Sequence, residues 1–386
     1  MATSGGNGRS ARNVDPSFLA LPLSRLADAS LTAAGGAGAS HAELRVERTR
    51  HANAHARDGR LEGAAEGDSA GLSVRVLCDG VWGFAATTEL SAEAAARAAR
   101  DAVEVAHVSA PLARERVELA GEPVHAGATW VSAFDVNPFD VPSSERIDLL
   151  VGWSARLAGA AGVAHADASV IAVQEDKFYA NLAGTTTLQE RVRVRPSATA
   201  VAVDGTTGAF ETMRTLAPPA GRGWEYLTGT GWDWDDELAR VPELLAGKVA
   251  APSVEPGAYD LVIHPSNLWL TIHESIGHAT ELDRALGYEA AYAGTSFATF
   301  DQLGKLRYGS PVMHVTGDRT VEHGLATVAF DDEGVEAQSW DLIRDGTLVG
   351  YQLNRAMAAR QGLGRSNGCA FADSALRVPL QRMANV

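Results

Sequence analysis

The residues with the clearest chemical potential are two histidines and a glutamate in the segment His273-Glu-Ser-Ile-Gly-His278. This pattern is one residue longer than His-Glu-x-x-His, in which two neutral imidazoles hold a Zn²⁺ ion. By the same logic His273 and His278 are predicted metal ligands, and Glu274 is the predicted general base for the metal-bound water. The sequence alone also allows a second interpretation, in which two unrelated histidines lie near a helix end beside a solvated glutamate.

The five-residue spacing of the histidines makes a geometric demand on the backbone. On a regular α-helix each residue turns about 100°, so positions i and i+5 lie roughly 140° apart. His273 and His278 can therefore face one metal only if a π-bulge or a break at Gly277 interrupts the helix. Glycine makes such a departure cheap, because it has no Cβ. A straight α-helix over residues 268–285 would argue against a metal site.

The third metal ligand is open at this point, although a catalytic zinc site normally has three protein ligands. Glu281 and Asp283 could supply an extra ligand or could bond to the imidazole N–H groups. Cys369 is the only thiol downstream of the motif, but its polar, loop-like surroundings favour a buried cysteine without a metal. His314 and His323 are weaker candidates.

Two other clusters have both a functional and a structural interpretation. Phe330-Asp-Asp-Glu-Gly334 carries three carboxylates, and a turn capped by acids explains it better than a metal site does. Trp224, Trp232 and Trp234 lie within 11 residues of one another. They could form a surface that faces a ligand, or they could attach a long loop to the core.

Composition limits the class of protein. The chain of 386 residues has 33 Lys+Arg against 48 Asp+Glu, and the resulting net charge of -15 argues against a nucleic-acid partner. Its two cysteines are too few for a disulfide framework, which favours a reducing, cytoplasmic location. No apolar run reaches the roughly 18 residues of a membrane helix, so no membrane partner is expected.

The elements that must position the motif follow from hydrophobic periodicity and turn residues. Four helices are predicted, over residues 23–36, 92–107, 143–157 and 235–250. Alternating apolar and charged residues over 43–47 predict a strand, and Asp58-Gly59 and Asp79-Gly80 are predicted hairpin turns. This order of helices and antiparallel strands predicts the α+β class.

The segment that leads into the motif is apolar. We expect a strand over Tyr259–Ile263, followed by the run Leu268–Ile272, which would place the motif on a buried element. Beyond the motif, residues 338–343 and 347–351 predict a hairpin that turns at Asp345-Gly346.

With these residues the sequence resembles the TldD/PmbA family of zinc-dependent proteases, specifically its TldD-like catalytic subunit. The resemblance covers most of the chain. The segments that carry it are Ala42–Val46, Gly83–Ala85, His273–His278, Thr280–Asp283, Ala293–Ser296, Phe330–Gly334, Gly362–Asp373 and Pro379–Asn385.

The resemblance implies a cytoplasmic zinc metallopeptidase that hydrolyses unstructured peptides. His273 and His278 match the metal histidines of the family, and Glu274 matches its catalytic glutamate. In the family, such chains form a heterodimer with a TldE/PmbA-like partner subunit that lacks the metal motif. The resemblance also implies a β-rich, barrel-like carboxy-terminal domain that carries the metal helix.

The resemblance further implies that the chain is truncated at its carboxy terminus, because the third zinc ligand of the family is a cysteine beyond the position of Val386. We expect a disordered tail over 1–20, an amino-terminal α+β domain over 21–250 with a sub-boundary near 110–142, and an incomplete metal-bearing domain over 251–386. An alternative function is a non-catalytic peptide-binding or assembly subunit, which would be inactive because that ligand is missing.

Overall fold

The structure is a computed structural model that describes residues 13–205 and 208–386. Residues 1–12 of the predicted tail lie outside the described residues. The remainder of that segment contains α1 (Pro16–Leu19), whose Phe18 is fully buried. The other helices are α2 (Leu23–Gly36), α3 (Ala92–Ser109), α4 (Ser143–Ala158), α5 (Trp234–Ala250), α6 (Pro265–Ile272), α7 (Leu282–Ala285) and α8 (Arg355–Arg360). The four predicted helices correspond to α2, α3, α4 and α5.

A seven-stranded sheet forms the amino-terminal part of the molecule. Its strands are β1 (His41–Arg57), β2 (Arg60–Cys78), β3 (Val81–Thr87), β4 (Ala126–Val131), β5 (His165–Asn181), β6 (Thr186–Val203) and β7 (Phe210–Arg214). The order is β3-β2-β1-β5-β6-β4, with β7 also paired to β6. All pairs are antiparallel except β4 with β6. The observed mixture of helices and antiparallel strands confirms the α+β class.

The predicted Asp-Gly hairpin turns are confirmed, and their backbone explains the residue types. Asp58 and Gly59 both have positive φ, at 49° and 76°. Asp79 and Gly80 repeat this geometry between β2 and β3. Two successive left-handed residues match the right-handed twist of the flanking strands, and aspartate and glycine tolerate that conformation.

One face of the long strands is apolar and carries the helices. Near the start of β1, Leu44 and Val46 pack in one cluster with buried residues of α2 and α3. Towards its end, Ala54 and Ala56 pack in a second cluster with buried residues of α4 and α5. Successive side chains of a strand point to opposite faces, so Glu43, Arg45 and Glu47, which alternate with Leu44 and Val46, must lie on the other face.

That other face is also buried, against the carboxy-terminal part of the chain. Glu43, Arg45 and Glu47 on β1 are only 3%, 3% and 1% exposed. Arg45 Nη1 lies 3.1 Å from Asp332 Oδ2, and Lys177 Nζ lies 3.0 Å from Asp332 Oδ1. Buried charges are tolerated when they are paired in this way. This ion-paired surface, the charged face, joins the sheet to the region around residue 332.

The tryptophan cluster attaches its loop to the core. Trp224 and Trp234 are 4% and 5% exposed, and the Trp234 ring stacks on Trp153 with 4.3 Å between centroids. Of the two interpretations of the sequence, the structure therefore favours the structural one.

The carboxy-terminal strands are short. They are β8 (Val315–Asp318), β9 (Ser339–Arg344), β10 (Thr347–Leu348), β11 (Ala370–Phe371) and β12 (Leu380–Gln381). The predicted hairpin at Asp345-Gly346 is confirmed as β9-β10, and β8 adjoins it to give a three-stranded sheet. In the described residues β11 pairs only with β12, and the sheets do not close into the expected barrel.

Two expectations about the segment before the motif were wrong. Residues 259–263 form no strand and pair with none of the described strands, and an extended segment without such pairing lacks the hydrogen bonds that stabilise a strand. The run Leu268–Ile272 belongs to α6, in which no residue is buried; Trp269 and Leu270 are 55% and 49% exposed. The contacts to the motif described below come from residues that follow it in the chain.

Within the described residues, none of the helices combines the length and apolarity needed to cross a bilayer.

Candidate metal centre

The motif lies where α6 changes its helical geometry. α6 begins at Pro265, and the His264 side chain accepts a hydrogen bond from the Ser266 N–H. After Ile272 the chain continues as a π-helical turn, His273–Gly277, in which the His278 N–H donates to the His273 carbonyl. This i→i+5 hydrogen bond replaces the i→i+4 bond of an α-helix. The predicted departure from α geometry is therefore confirmed.

The π turn brings the three predicted site residues together. One possible ligand atom from each of His273, Glu274 and His278 lies within 4.8 Å of those from the other two. The imidazole rings are nearly perpendicular, with centroids 4.5 Å apart. Both rings are partly buried, whereas Glu274 is exposed. In the part of the chain that the structure describes, this is the one cluster of three or more potential metal ligands.

The surroundings of the two imidazoles favour their neutral forms. Burial lowers the pKa of His273, and the neighbouring His278 lowers it further. The pKa of His278 is lowered by burial and by the charge of Arg284. Neutral imidazoles keep a free lone pair, which is the form that binds a metal ion.

Glu281 holds the His278 ring from the side. Its Oε2 lies 2.8 Å from His278 Nδ1 and 3.2 Å from Arg284 Nη2, and the residue is 1% exposed. Burial raises the Glu281 pKa to about 7, although Arg284 and Arg382 oppose that shift. A carboxylate at Nδ1 fixes the orientation of the ring and leaves Nε2 available to a metal. Of the two roles open in the sequence, the geometry supports the orienting partner.

The other predicted candidates lie outside the cluster. Cys369 is fully buried, and burial raises its thiol pKa to about 12. His314 lies beside Asp345, and the ring of His323 contacts the Gly221 carbonyl oxygen. Asp283, the other acid considered, accepts a hydrogen bond from the Gln381 side chain.

The carboxylates of the segment 330–334 have structural roles. Asp331 Oδ1 accepts hydrogen bonds from the Glu333 and Val335 amides, as expected of an acid that caps a turn. Asp332 belongs to the charged face, and Glu333 Oε1 lies 2.8 Å from Arg75 Nη2.

Gly277 makes a close contact that the sequence did not reveal. Its φ and ψ are −54° and −61°, which any residue adopts, so the backbone conformation does not require a glycine here. A Cβ at this position would instead overlap the sulfur of Met383. The sequence also gave no indication that Gln352 contacts the turn, although its side-chain Nε2 donates a hydrogen bond to the Gly277 carbonyl at 2.7 Å. Neither contact leaves a signal in sequence spacing, because both partners are distant along the chain.

Two family models match this chain. The model described as PmbA/TldA metallopeptidase domain 1 matches residues 42–106. The model described as the PmbA/TldA metallopeptidase C-terminal domain matches residues 256–386, which include the π turn. Together the matches span about half of the chain.

Individual relatives agree with these models. The chain is 27% identical over 354 residues to a protein named Metalloprotease from Methanothermobacter thermautotrophicus, which covers 89% of this chain and 71% of that protein. It is 25% identical over 155 residues to a protein named Zinc metalloprotease TldD homolog from Saccharolobus solfataricus, covering 40% and 32% of the two chains. Among solved structures, TldE from Thermococcus kodakarensis matches 93% of this chain and 76% of its own, with a TM-score of 0.62 at 16% identity. At that identity the structural likeness bears on the fold alone.

Proposed function

The chain belongs to the PmbA/TldD metallopeptidase family, and we propose that it is a zinc-dependent peptidase subunit whose metal ligands include His273 and His278. The observation that carries the proposal is the convergence of both imidazoles and the Glu274 carboxylate within 4.8 Å on one π turn. Without that turn, a five-residue spacing would point the two histidines in different directions.

The donor atoms of this cluster fit zinc. Imidazole nitrogens suit Zn²⁺, and the lowered pKa values of both histidines keep the nitrogens unprotonated near neutral pH. A bound Zn²⁺ would supply Lewis acidity to a peptide carbonyl and would lower the pKa of a coordinated water to about 7.

Glu274 is the residue that we assign to proton transfer. Its carboxylate is exposed, so it can reach a substrate, and it lies next to His273 within the cluster. In peptide hydrolysis a carboxylate at this place takes a proton from the attacking water and delivers it to the leaving amine. Glu281 holds the His278 ring but does not contact the reacting atoms.

The substrate class, the partner and the compartment are further parts of the proposal. We assign unstructured peptides as substrates and a TldE/PmbA-like chain as the partner, because membership of the PmbA/TldD family implies both. A cytoplasmic location is consistent with two cysteines that are both free and buried. We also divide the chain into a tail, an amino-terminal domain over 21–250 and a metal-bearing domain over 251–386.

A second candidate function is a non-catalytic peptide-binding or assembly subunit. The cluster in the described residues holds two imidazoles and one carboxylate. If Glu274 acts as the base, only His273 and His278 remain as ligands there, one fewer than a catalytic zinc site normally has.

Metal content and a glutamate substitution separate these functions. The peptidase should purify with, or bind, about one zinc ion per chain. Glu274→Gln should then keep the metal but cleave an unfolded peptide roughly 10²- to 10⁴-fold more slowly. Glu243→Gln, on the exposed side of α5, is the control and should cleave normally. Equal cleavage by the Glu274→Gln variant would exclude the peptidase mechanism, and absence of bound zinc would favour the non-catalytic subunit.

A further inference from the structure

We propose that Gln352 and Met383 are positioning residues that hold the π turn in the shape that brings His273 and His278 together. The inference rests on the proposed metal site, and it adds two residues that are remote from the motif in sequence. It concerns how the site is held in place, so neither residue is assigned a contact with metal or substrate.

The π turn needs support from outside itself. The i→i+5 hydrogen bond of a π-helix is rare in proteins. In addition, the last carbonyls of any helix lack hydrogen-bond partners within that helix. Here the Thr280 hydroxyl donates to the Ile276 carbonyl at 2.8 Å. The next carbonyl, that of Gly277, receives the 2.7 Å hydrogen bond from Gln352 Nε2.

Gln352 connects the turn to two other segments. Its side chain is fully buried, and its Oε1 accepts a hydrogen bond from the Ala384 N–H at 2.6 Å. Its own backbone N–H donates to the Thr280 carbonyl at 2.8 Å, directly after the turn. One residue therefore fixes the π turn, the residues that follow it and the segment around Ala384. A buried amide with both ends satisfied is costly to replace, because its partners would be left unsatisfied.

Met383 supports the turn by packing. Its sulfur and methyl group occupy the space that a Cβ of Gly277 would fill. The segment that presents Met383 is held on both sides, by the Gln352–Ala384 bond and by a 2.8 Å contact between Arg382 Nη1 and Glu289 Oε1. The flexible thioether thus fills the contact between the segment and the turn.

The contacts of Gln352 and Met383 explain how the motif is held in place although α6, the helix before it, is exposed. No residue of α6 is fully buried, and its packing on the core comes from Ile272, which lies against the cluster of Ile276, Leu342 and Ile343. Ile276 and Gly277 within the turn are buried, and it is Gly277 that contacts Gln352 and Met383. If those supports are removed, the segment can relax towards α geometry, in which the histidines diverge.

A pair of matched glutamine substitutions tests the inference. Gln189 is also buried and also bonds to backbone groups, the Phe330 carbonyl and the Ala329 and Phe330 amides, but on the charged face. Gln352→Met and Gln189→Met should both lower the melting temperature of the metal-free protein. Only Gln352→Met should weaken Zn²⁺ and Co²⁺ binding, by roughly 10- to 100-fold, and change the visible spectrum of bound Co²⁺. Equal metal affinity in the two variants would overturn the inference.

A second pair of variants tests the packing and keeps the inference falsifiable if Gln352→Met does not fold. Gly277→Ala should weaken Co²⁺ binding, because the new Cβ displaces the Met383 side chain. In the Met383→Ala background, where that space is empty, Gly277→Ala should cause less than half of this loss in log affinity. Purely additive effects would contradict a direct contact between the two positions.

The metal-free protein distinguishes this inference from the proposed function. In hydrogen exchange, the His278 amide should exchange faster in Gln352→Met than in the wild type, whereas Gln189→Met should leave it unchanged. Wild-type metal binding that Gln352→Met does not weaken would overturn the inference alone. Failure of the wild type to bind Zn²⁺ or Co²⁺ would overturn the proposed function and the inference with it.

Discussion

Two of the regions in which the molecule buries charged side chains, the charged face and the surroundings of the π turn, treat them differently. On the charged face burial opposes the ionisation of Asp332, but Lys177 and Arg45 outweigh it and lower the Asp332 pKa. At the neighbouring Glu47 burial prevails over the same two cations and raises the pKa, so this face holds its charges mainly through Asp332. Around the π turn burial prevails over the nearby arginines and raises the pKa values of Glu281 and Asp283 to about 7. The first arrangement fixes charges in ion pairs and holds the fold together. The second leaves acids and imidazoles that can exchange protons or bind a metal, which is typical of functional sites.

The largest effect should follow from breaking the charged face at Asp332. Asp332→Asn keeps the shape of the side chain but removes the nearer of two carboxylates that Arg45 and Lys177 share. The one that remains is Glu47, at 3.7 Å and 3.6 Å. We expect the free energy of unfolding to fall by roughly 3–5 kcal/mol, measured by urea denaturation. The exposed pair between Arg156 and Asp235 is the control, and Asp235→Asn should change stability little. Similar small losses in both variants would remove the difference between the two regions.

The next effect is the acid sensitivity of the charged face. Burial opposes ionisation of Glu43, but Arg75 and His41 outweigh it and lower its pKa from 4.5 to about 2. Because the folded pKa is the lower one, Glu43 stabilises the fold fully above pH 4.5 by about 3 kcal/mol, and this contribution disappears as the pH falls towards 2. Wild type and Glu43→Gln should therefore differ in unfolding free energy at pH 7 and converge near pH 2. A gap that stays constant over that range would refute the assignment.

The smallest effect concerns the π turn and should appear in metal binding. Glu281→Ala removes the carboxylate at His278 Nδ1, and we expect Zn²⁺ affinity to fall roughly 10- to 100-fold. Glu281→Gln should lose less, because its amide oxygen still accepts a hydrogen bond from Nδ1. Glu115→Ala, which removes an exposed partner of Arg360, serves as the control for losing an acid. Metal titration by calorimetry measures all three. An unchanged affinity in Glu281→Ala would show that the ring needs no orienting partner.

Local patterns in the sequence were sufficient to predict most of the individual helices and hairpin turns. The helix boundaries around α3 and α4 follow from apolar spacing within one segment, and Asp-Gly pairs mark hairpin turns because few other residues tolerate positive φ twice in succession. The same local geometry demanded a departure from the α-helix between His273 and His278, and the π turn meets that demand. The predicted strand over Tyr259–Ile263 failed, because a strand depends on a neighbour that no local pattern reveals.

The sequence by itself therefore determined which residues are the candidates for the chemistry and that the helix could not stay regular between them. Only the tertiary structure decided that both faces of the long strands are buried, since alternation is the same whether the charged side meets water or Asp332. It also decided what holds the π turn. The Met383 sulfur occupies the space beside Gly277, and the Gly277 carbonyl is satisfied by Gln352, 75 residues along the chain. Such contacts follow from packing in three dimensions, so residue spacing does not encode them.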